Sequence, residues 1–402
     1  MKDNPKLNAK LLQEIQDILS QKFQTEIKIK STITLSEELR RNLVLRINLE
    51  KSDSDIPQTV IFKQSLIDKL SSDKEILGRF ARDWAGLEFI SSFDIEAIIA
   101  PKFYGGSISS RFILIEDLGA NHLSLVDPLM NNKPQDAKDA LNRYMKIMAK
   151  FHGLGHQNIK NYNPMLQKIY PDVDVWQDGF LDMPAKIRSL LGKLNIEFSL
   201  ELEAEMNYVF KLNKEPGPFI ALMHGDICPD NLVDDPKKDQ MKIIDFEWSY
   251  VGNALLDAVY LRMYMPTCWC VMAFPEETIE EMEEVYRKEL SKFIPTILDD
   301  KLYYEYYVGA CAYTIFWRLL NIEYVLEKER DGEALTEFVP PKWKAEYNIQ
   351  RPRQLLRLEK FIAIAKKHDL LPHVRLMAEA VLKELKIRWK NVKPLDLYPA
   401  FR

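Results

Sequence analysis

Cysteine is scarce in this sequence. The 402 residues include four cysteines, at positions 228, 268, 270 and 311. No two of them are spaced as Cys-x-x-Cys, the pattern that many zinc sites and redox-active pairs use. Neither a disulfide framework nor a zinc site is therefore indicated, and a reducing compartment fits best.

Long hydrophobic runs and an excess of charge of one sign are also lacking. The longest uncharged, largely apolar stretches are residues 263–275 and 306–317. Both are shorter than the roughly 20 residues that a membrane-spanning helix needs, so we expect buried segments and no membrane span. The net charge of -5, from 55 basic and 60 acidic residues, provides no global field for nucleic acid or an anionic membrane surface. We therefore expect no nucleic-acid partner.

The N-terminus has no signal-peptide pattern, because no apolar run follows its first charged residues. This favours a cytoplasmic protein. With 47% hydrophobic and 29% charged residues, the composition is that of a globular chain rather than a disordered one. A chain of 402 residues is longer than an ordinary domain with a single hydrophobic core. This length suggests about two to three domains, or two lobes that share a cleft.

The first part of the chain combines β-type alternation with two helical patterns. Gly105 and Gly106 are predicted to form the turn between the last two strands of this part. We predict helices at 7–23 and 73–91, and strands at 42–49, 59–63, 102–104 and 111–115.

From residue 121 onward helical periodicity dominates. One predicted helix in this part ends at the glycines Gly153 and Gly155, since glycine commonly terminates helices. The order of elements predicts an α+β fold, with a β-rich domain at 1–118 and a helical domain at 119–402.

One short stretch, HGDICPDNL at 224–232, contains the residue types that phosphoryl transfer requires. Asp226 can take the proton of an attacking hydroxyl group, and Asn231 offers an oxygen ligand for magnesium. After a polar turn, the apolar segment 241–244 leads to Asp245. A hairpin of this length would bring Asp245 back near Asn231, where a magnesium site with two ligands has to be built.

HGDICPDNL together with IIDFEWS at 243–249 resembles the aminoglycoside phosphotransferase and choline kinase superfamily, whose fold is similar to that of protein kinases. The resemblance covers roughly residues 30–260 and implies a bilobal fold, with a small β-rich N-lobe for the nucleotide and a large helical C-lobe for catalysis and substrate. Four further segments match in the family's order. They are TVIFK at 59–63, with the nucleotide lysine; ILIEDLG at 113–119, the hinge; MAKFH at 148–152, behind the catalytic loop; and GNALLD at 252–257, whose Asp257 would brace that loop.

The resemblance implies a role for each matched residue at the centre of the site. Asp226 would be the catalytic base, and Asn231 and Asp245 would hold Mg²⁺. Lys63 would reach the α and β phosphates of ATP. Lysine supplies a compact positive charge for phosphate, whereas Asn and Asp supply the hard oxygen atoms that magnesium prefers.

Further nucleotide-binding residues follow from the same resemblance. Glu116 and Leu118 would contact the nucleotide from the hinge. Related kinases pair the lysine with a glutamate on a helix, and the residue that aligns best is Asp83, which is one methylene shorter. Glu88 and Glu75 are alternatives for this partner.

Two features depart from the family pattern. No G-x-G-x-x-G loop is present, and residues 36–42 occupy the place of a phosphate-covering turn. Because a loop without glycine approaches phosphate less closely, we expect hydroxyl or arginine contacts to substitute. Glu247 stands where protein kinases have a glycine, and no Ala-Pro-Glu segment follows. A small acceptor is therefore favoured over a protein.

The predicted function is transfer of the γ-phosphate of ATP, with Mg²⁺, to a hydroxyl group of a small molecule such as an aminoglycoside, choline or a sugar. One alternative is a non-catalytic nucleotide-binding protein that kept the fold. Another is a kinase that acts on protein or lipid. The acceptor, the choice between ATP and GTP and the oligomeric state are open at this point, because the variable helical part of such folds decides the substrate.

Overall fold

The computed structural model describes residues 7–36, 41–50, 56–67, 71–93, 99–119, 122–173, 182–320, 322, 325–326 and 349–402. The strands are β1 (Ile29–Thr34), β2 (Asn42–Leu49), β3 (Thr59–Ser65), β4 (Phe103–Ser107), β5 (Phe112–Glu116), β6 (Leu123–Ser124), β7 (Ile220–Met223), β8 (Leu232–Asp235), β9 (Gln240–Ile243) and β10 (Tyr250–Asn253). The helices of the first half are α1 (Ala9–Phe23), α2 (Asp73–Ser91), α3 (Val126–Leu129), α4 (Pro134–Asn158), α5 (Tyr162–Ile169) and α6 (Met183–Lys193). Those of the second half are α7 (Leu200–Lys214), α8 (Leu255–Ala258), α9 (Glu276–Leu290), α10 (Asp300–Leu319), α11 (Gln350–His368) and α12 (Pro372–Arg388).

The chain forms two compact units. The sheet unit consists of Met1–His122, Lys160–Val175 and Lys242–Ser249, and the helical unit consists of Leu123–Ile159, Trp176–Met241 and Tyr250–Arg402. Strands β1 to β5 lie in the sheet unit, whereas most helices lie in the helical unit. The predicted α+β class, with a smaller β-rich part and a larger helical part, is confirmed. Two segments of the sheet unit come from the region beyond residue 118, which the sequence pattern assigned to the second domain.

The sheet unit is built on a five-stranded antiparallel sheet with the order β1-β2-β3-β5-β4. Strand β2 alternates as predicted, and its residues Leu45, Ile47 and Leu49 are buried against Ile15 and Leu19 of α1. The central strand β3 pairs with both β2 and β5. A side chain on β3 therefore has a backbone held by hydrogen bonds on both sides.

The turn predicted at Gly105 and Gly106 is wrong. Strand β4 runs through both glycines to Ser107, and the turn follows at residues 108–111. Gly105 has a φ of 139° at a shift in the strand register. A Cβ atom on Gly106 would lie 2.4 Å from the carbonyl oxygen of Phe112. These glycines permit a bulge and a close backbone approach inside the strand instead of a turn.

The predicted end of a helix at Gly153 and Gly155 is also wrong, since α4 continues to Asn158. A Cβ atom on Gly153 would lie 2.2 Å from Cγ of Phe293, and one on Gly155 would lie 2.9 Å from the backbone nitrogen of Leu222 in β7. Glycine is therefore needed at both positions to let α4 approach its neighbours within the helical unit.

Both apolar stretches noted in the sequence are buried in the helical unit. The stretch 306–317 lies in α10, where Tyr307 is 1% exposed and Phe316 is fully buried. The stretch 263–275 packs mostly in the interior as well. Within the described ranges, every helix falls short of the length or the hydrophobicity that crossing a bilayer would demand.

We expect Gly153→Ala to lower the free energy of unfolding by about 1–3 kcal/mol, because the added methyl group overlaps the Phe293 side chain. Gly192→Ala, in α6, is the matched control, since a Cβ atom there meets nothing within 4 Å. Helix propensity alone predicts a gain of up to about 1 kcal/mol for this control. Urea denaturation followed by circular dichroism measures both, and equal stability of the two variants would contradict the packing argument.

Candidate active site

The loop that carries Asp226 is held in place by a buried carboxylate. Asp257 of α8 is fully buried and accepts hydrogen bonds from the backbone N–H groups of His224 (2.7 Å) and Gly225 (3.1 Å). Gly225 has a φ of 75°, a conformation that favours glycine, so the chain can turn sharply after β7. The prediction that Asp257 braces this loop is confirmed.

A histidine of α4 completes the surroundings of Asp257. Nε2 of His152 lies 3.2 Å from Oδ2 of Asp257, and Nδ1 lies 2.8 Å from the hydroxyl oxygen of Tyr286. Burial, together with the charge of Asp257, raises the pKa of Tyr286 well above its ordinary value, so this hydroxyl group stays a donor. Nε2 of His152 therefore faces a carboxylate acceptor, and Nδ1 faces a hydroxyl donor. The predicted packing of this helix segment behind the loop is confirmed.

Asp226 and Asn231 lie together within the helical unit. The Asn231 amide nitrogen donates to the backbone oxygen of Asp226 at 2.8 Å and lies 3.4 Å from its Oδ2. Asn231 is 9% exposed. This amide nitrogen is occupied by the loop itself, so the side-chain oxygen is the atom that Asn231 can offer to a metal ion.

Two residues that sequence reasoning missed contact the same loop. The hydroxyl group of Thr267 donates to Oδ1 of Asp226, and the hydroxyl group of Tyr260 donates to the carbonyl of Gly225 at 2.8 Å. Cys228 also donates to Oδ1 of Asp226, at 3.0 Å. No spacing rule connects positions 226 and 267, so only the fold brings Thr267 to this carboxylate.

Lys63 is the centre of a charged cluster in the sheet unit. Its Nζ atom lies 2.8 Å from Oδ2 of Asp83 and 2.5 Å from Oδ1 of Asp245. Burial would lower the pKa of the lysine, but the charges of Asp245, Asp83 and Glu247 outweigh burial and hold this pKa above its ordinary value. The ammonium group therefore stays charged.

Asp83 connects helix α2 to the segment that follows β9. Besides Lys63, it accepts a hydrogen bond from the backbone N–H of Phe246 at 2.9 Å. A Cβ atom on Gly86, one turn later in α2, would lie 2.7 Å from Cβ of Phe246. Glycine at this position lets the fully buried Phe246 pack against the helix. These contacts of the neighbouring Phe246 help to hold Asp245, which has a φ of 69°, next to the lysine.

The structure places Asp83 at the lysine and gives the two alternative glutamates other partners. Glu75 accepts from the backbone N–H of Ser72 at 2.7 Å and forms a capping box at the start of α2. Glu88 accepts from Nε1 of Trp84 at 2.9 Å. The pairing with Asp83 is therefore the one that the geometry supports.

A second cation and a third carboxylate complete this cluster. Glu247 is 5% exposed and lies 2.7 Å from a guanidinium nitrogen of Arg41. Burial raises the pKa of Glu247 and of Asp83. Three carboxyl groups, those of Asp83, Asp245 and Glu247, thus lie around the two basic side chains of Lys63 and Arg41. Hard oxygen donors of this kind fit a divalent cation such as Mg²⁺.

The predicted hinge at 113–119 begins within β5 and continues past its end, and its acidic side chains have partners within the sheet unit. Glu116 accepts from Nζ of Lys242 at 2.7 Å, and Asp117 binds Arg46 through contacts of 2.5 Å and 3.0 Å. Leu118 is half-buried. The backbone N–H of Glu116 is engaged as well, since it donates to the carbonyl of Lys102 at 2.9 Å.

The predicted site residues belong to two groups, one in each unit. The convergence of Asn231 with Asp245 stays a prediction. The sheet unit contains Lys63, Asp83, Glu116, Leu118 and Asp245, and the helical unit contains Asp226 and Asn231.

We expect Asp257→Asn to lower the free energy of unfolding by about 1–3 kcal/mol, because the amide group would face a backbone N–H donor that the carboxylate now satisfies. The exposed Asp172→Asn is the control and should change this free energy by less than about 0.5 kcal/mol. Thermal or urea denaturation measures both variants. A stability of Asp257→Asn equal to that of the control would show that the brace contributes nothing.

Comparison with known proteins agrees with the motifs. Residues 87–273 match the model of the Phosphotransferase enzyme family. This segment includes Asp226, Asn231, Asp245 and Asp257, whereas Lys63 lies before it. No curated protein matches the chain significantly.

Several solved structures are similar to this chain at low sequence identity. A choline kinase from Cryptosporidium parvum Iowa II is 12% identical with a TM-score of 0.43, over 89% of this chain and 93% of that one. A Plasmodium vivax ethanolamine kinase is 15% identical with a TM-score of 0.44, over 87% and 84%. A choline/ethanolamine kinase family protein from Mesorhizobium loti is 14% identical with a TM-score of 0.42, over 89% and 93%. The match of residues 87–273 to the Phosphotransferase enzyme family is the comparison that confirms the resemblance and the phosphotransferase class that the motifs predicted.

Proposed function

We propose that this protein transfers the γ-phosphate of ATP to a hydroxyl group of a small molecule and uses Mg²⁺ as cofactor. The family match supports a phosphotransferase. The observation that carries the proposal is the placement of Lys63 between the carboxylates of Asp83 and Asp245, at 2.8 Å and 2.5 Å. Phosphoryl transfer depends on charges held in fixed positions, and this cluster provides them.

Lys63 would bind the α and β phosphates of the nucleotide. Asp83 is 4% exposed and has a second hydrogen bond to the backbone of Phe246, so it keeps the lysine in one position. The lysine is charged and its side chain is 14% exposed. A phosphate oxygen can therefore replace Asp245 as its partner without a change in the position of the strand.

Asn231 and Asp245 would hold Mg²⁺, which when bound neutralises negative charge on the transferred phosphate. The Asp245 side chain is 32% exposed, so an ion can reach this residue from solvent. An amide oxygen and a carboxylate oxygen are both hard ligands, as magnesium prefers.

Asp226 would accept the proton of the attacking hydroxyl group. Thr267 and Cys228 both donate to Oδ1, so the carboxylate is oriented before a substrate binds. The other oxygen, Oδ2, has Asn231 at the longer distance of 3.4 Å and is the atom best able to take a proton. Glu247, in the place of a kinase glycine, and the lack of an Ala-Pro-Glu segment support a small acceptor.

We expect Asp226→Asn to lower kcat by about 10²–10⁴-fold, because the amide cannot accept the proton. The measurement is ATP consumption over a panel of hydroxylated metabolites, including choline, ethanolamine, sugars and aminoglycosides. Asp239→Asn, whose carboxylate is 85% exposed, is the matched control and should turn over like the unmodified protein. Unchanged turnover of Asp226→Asn would exclude its role. Stabilisation by Mg·ATP without turnover of any acceptor would favour the non-catalytic alternative.

Arg41 stands in the region where a glycine-rich loop is missing, and its side chain is 49% exposed beside Glu247. We expect Arg41→Gln to raise the KM for ATP by about tenfold, because one charge-assisted contact to phosphate is lost, with a smaller effect on kcat. Lys30→Gln, at an exposed position of β1 in the same sheet, is the control and should leave this KM unchanged. An equal KM in both variants would show that Arg41 does not replace the glycine loop.

A further inference from the structure

Three of the four cysteines meet beside the loop of Asp226, although they are not spaced as a sequence motif. Cys228 lies in the loop and is 3% exposed, whereas Cys268 and Cys270 follow the turn that ends at Thr267 and are 5% and 0% exposed. The Sγ atoms of Cys268 and Cys270 lie 2.6 Å apart. All three thiols are free, and the proposed phosphoryl transfer does not require a thiol cluster.

A carboxylate joins this thiol cluster from the loop. Oδ1 of Asp230 lies 3.9 Å from Sγ of Cys268. One ligand atom from each of Cys228, Asp230 and Cys268 lies within 4.8 Å of the others. Tetrahedral zinc, with bonds of about 2.3 Å to sulfur and about 2.1 Å to oxygen, sets its ligand atoms roughly 3.6 Å apart. Small side-chain rotations therefore suffice to enclose an ion.

The ligands are oriented by a second layer of hydrogen bonds. Nε1 of Trp269 donates to Oδ2 of Asp230 at 2.8 Å, which leaves Oδ1 directed at Cys268. The buried guanidinium group of Arg353 donates to the carbonyls of Cys268 (3.0 Å) and Trp269 (2.7 Å). The backbone N–H of Cys270 contacts Sγ of Cys268 at 3.3 Å. Partners of this kind fix the ligands of metal sites and raise their affinity.

We propose that Cys228, Cys268 and Asp230 form a binding site for a thiophilic divalent cation of the zinc class. Binding requires Cys228 and Cys268 as thiolates and Asp230 as a carboxylate, and any proton that these groups carry beforehand is released to solvent. Thr267 then remains the donor to Oδ1 of Asp226. Two thiolates and one carboxylate then face a dication, which gives a net charge of -1 next to the guanidinium group of Arg353. Magnesium, a hard cation, does not compete for thiolates, so this site differs in chemistry from the proposed Asn231 and Asp245 pair.

The test uses the 402-residue chain, treated with a chelator and kept reduced with a phosphine, and titrates it with Cd²⁺ in the presence of excess Mg²⁺. We expect about one Cd²⁺ per chain to bind and to produce the ultraviolet absorption of a thiolate–metal bond. Cys228→Ser and Cys268→Ser should each lose this absorption. Cys311→Ser, which changes a fully buried cysteine of α10, is the matched control and should retain it.

Folding of each variant is checked by circular dichroism, and Asp230→Asn provides a variant that keeps every cysteine. We expect Asp230→Asn to bind Cd²⁺ more weakly than the unmodified protein, as measured by competition with a chromophoric chelator. The proposal is overturned if the unmodified protein gives no thiolate absorption. It is equally overturned if Cys228→Ser and Cys268→Ser, both folded, bind Cd²⁺ as Cys311→Ser does. Neither readout depends on phosphoryl transfer, so the outcome is independent of the proposed function.

Discussion

The hydrogen bonds from the loop backbone to the buried carboxylate of Asp257 are the constraint on which the helical unit's site depends. A carboxylate with no exposure to solvent is costly unless each of its oxygens has donors, and His224, Gly225 and His152 provide them. The loop cannot leave this position without removing partners from a buried charge. The positions of the following loop residues, from Asp226 to Asn231, therefore depend on these hydrogen bonds to Asp257.

The sheet unit contains a cluster of charged side chains around Lys63. There the partly buried Lys63 lies among the carboxyl groups of Asp83, Asp245 and Glu247, and Arg41 pairs with Glu247. Such a cluster of oxygen donors and basic groups suits a cation and a phosphate together. Buried contacts keep the cluster in place. Asp83 of α2 binds Lys63 of β3 and the backbone of Phe246 in the segment after β9, and Phe246 packs against α2 at Gly86.

The glycines show where reading local signals fails. Gly105, Gly106, Gly153 and Gly155 carry the ordinary signals for a turn and a helix end, yet each lies inside a regular element. Glycine is needed at these positions because a neighbouring chain segment occupies the volume that a side chain would fill. For Gly105, Gly153 and Gly155 the neighbour is distant in sequence, so a local pattern cannot distinguish a glycine that ends an element from one that lets two elements touch.

The sequence by itself determined the helices and strands with strong periodicity, such as β2 and α2, and the phosphotransferase motifs around Asp226 and Asp245. These depend on short-range spacing, which the chain carries locally. Only the tertiary structure decided that Asp83 is the partner of Lys63, that Thr267 contacts Asp226 and that Cys268 comes to the loop of Cys228. Those contacts join residues separated by 20 to 41 positions. They arise from packing between elements, and no rule of spacing encodes which distant side chains packing will bring together.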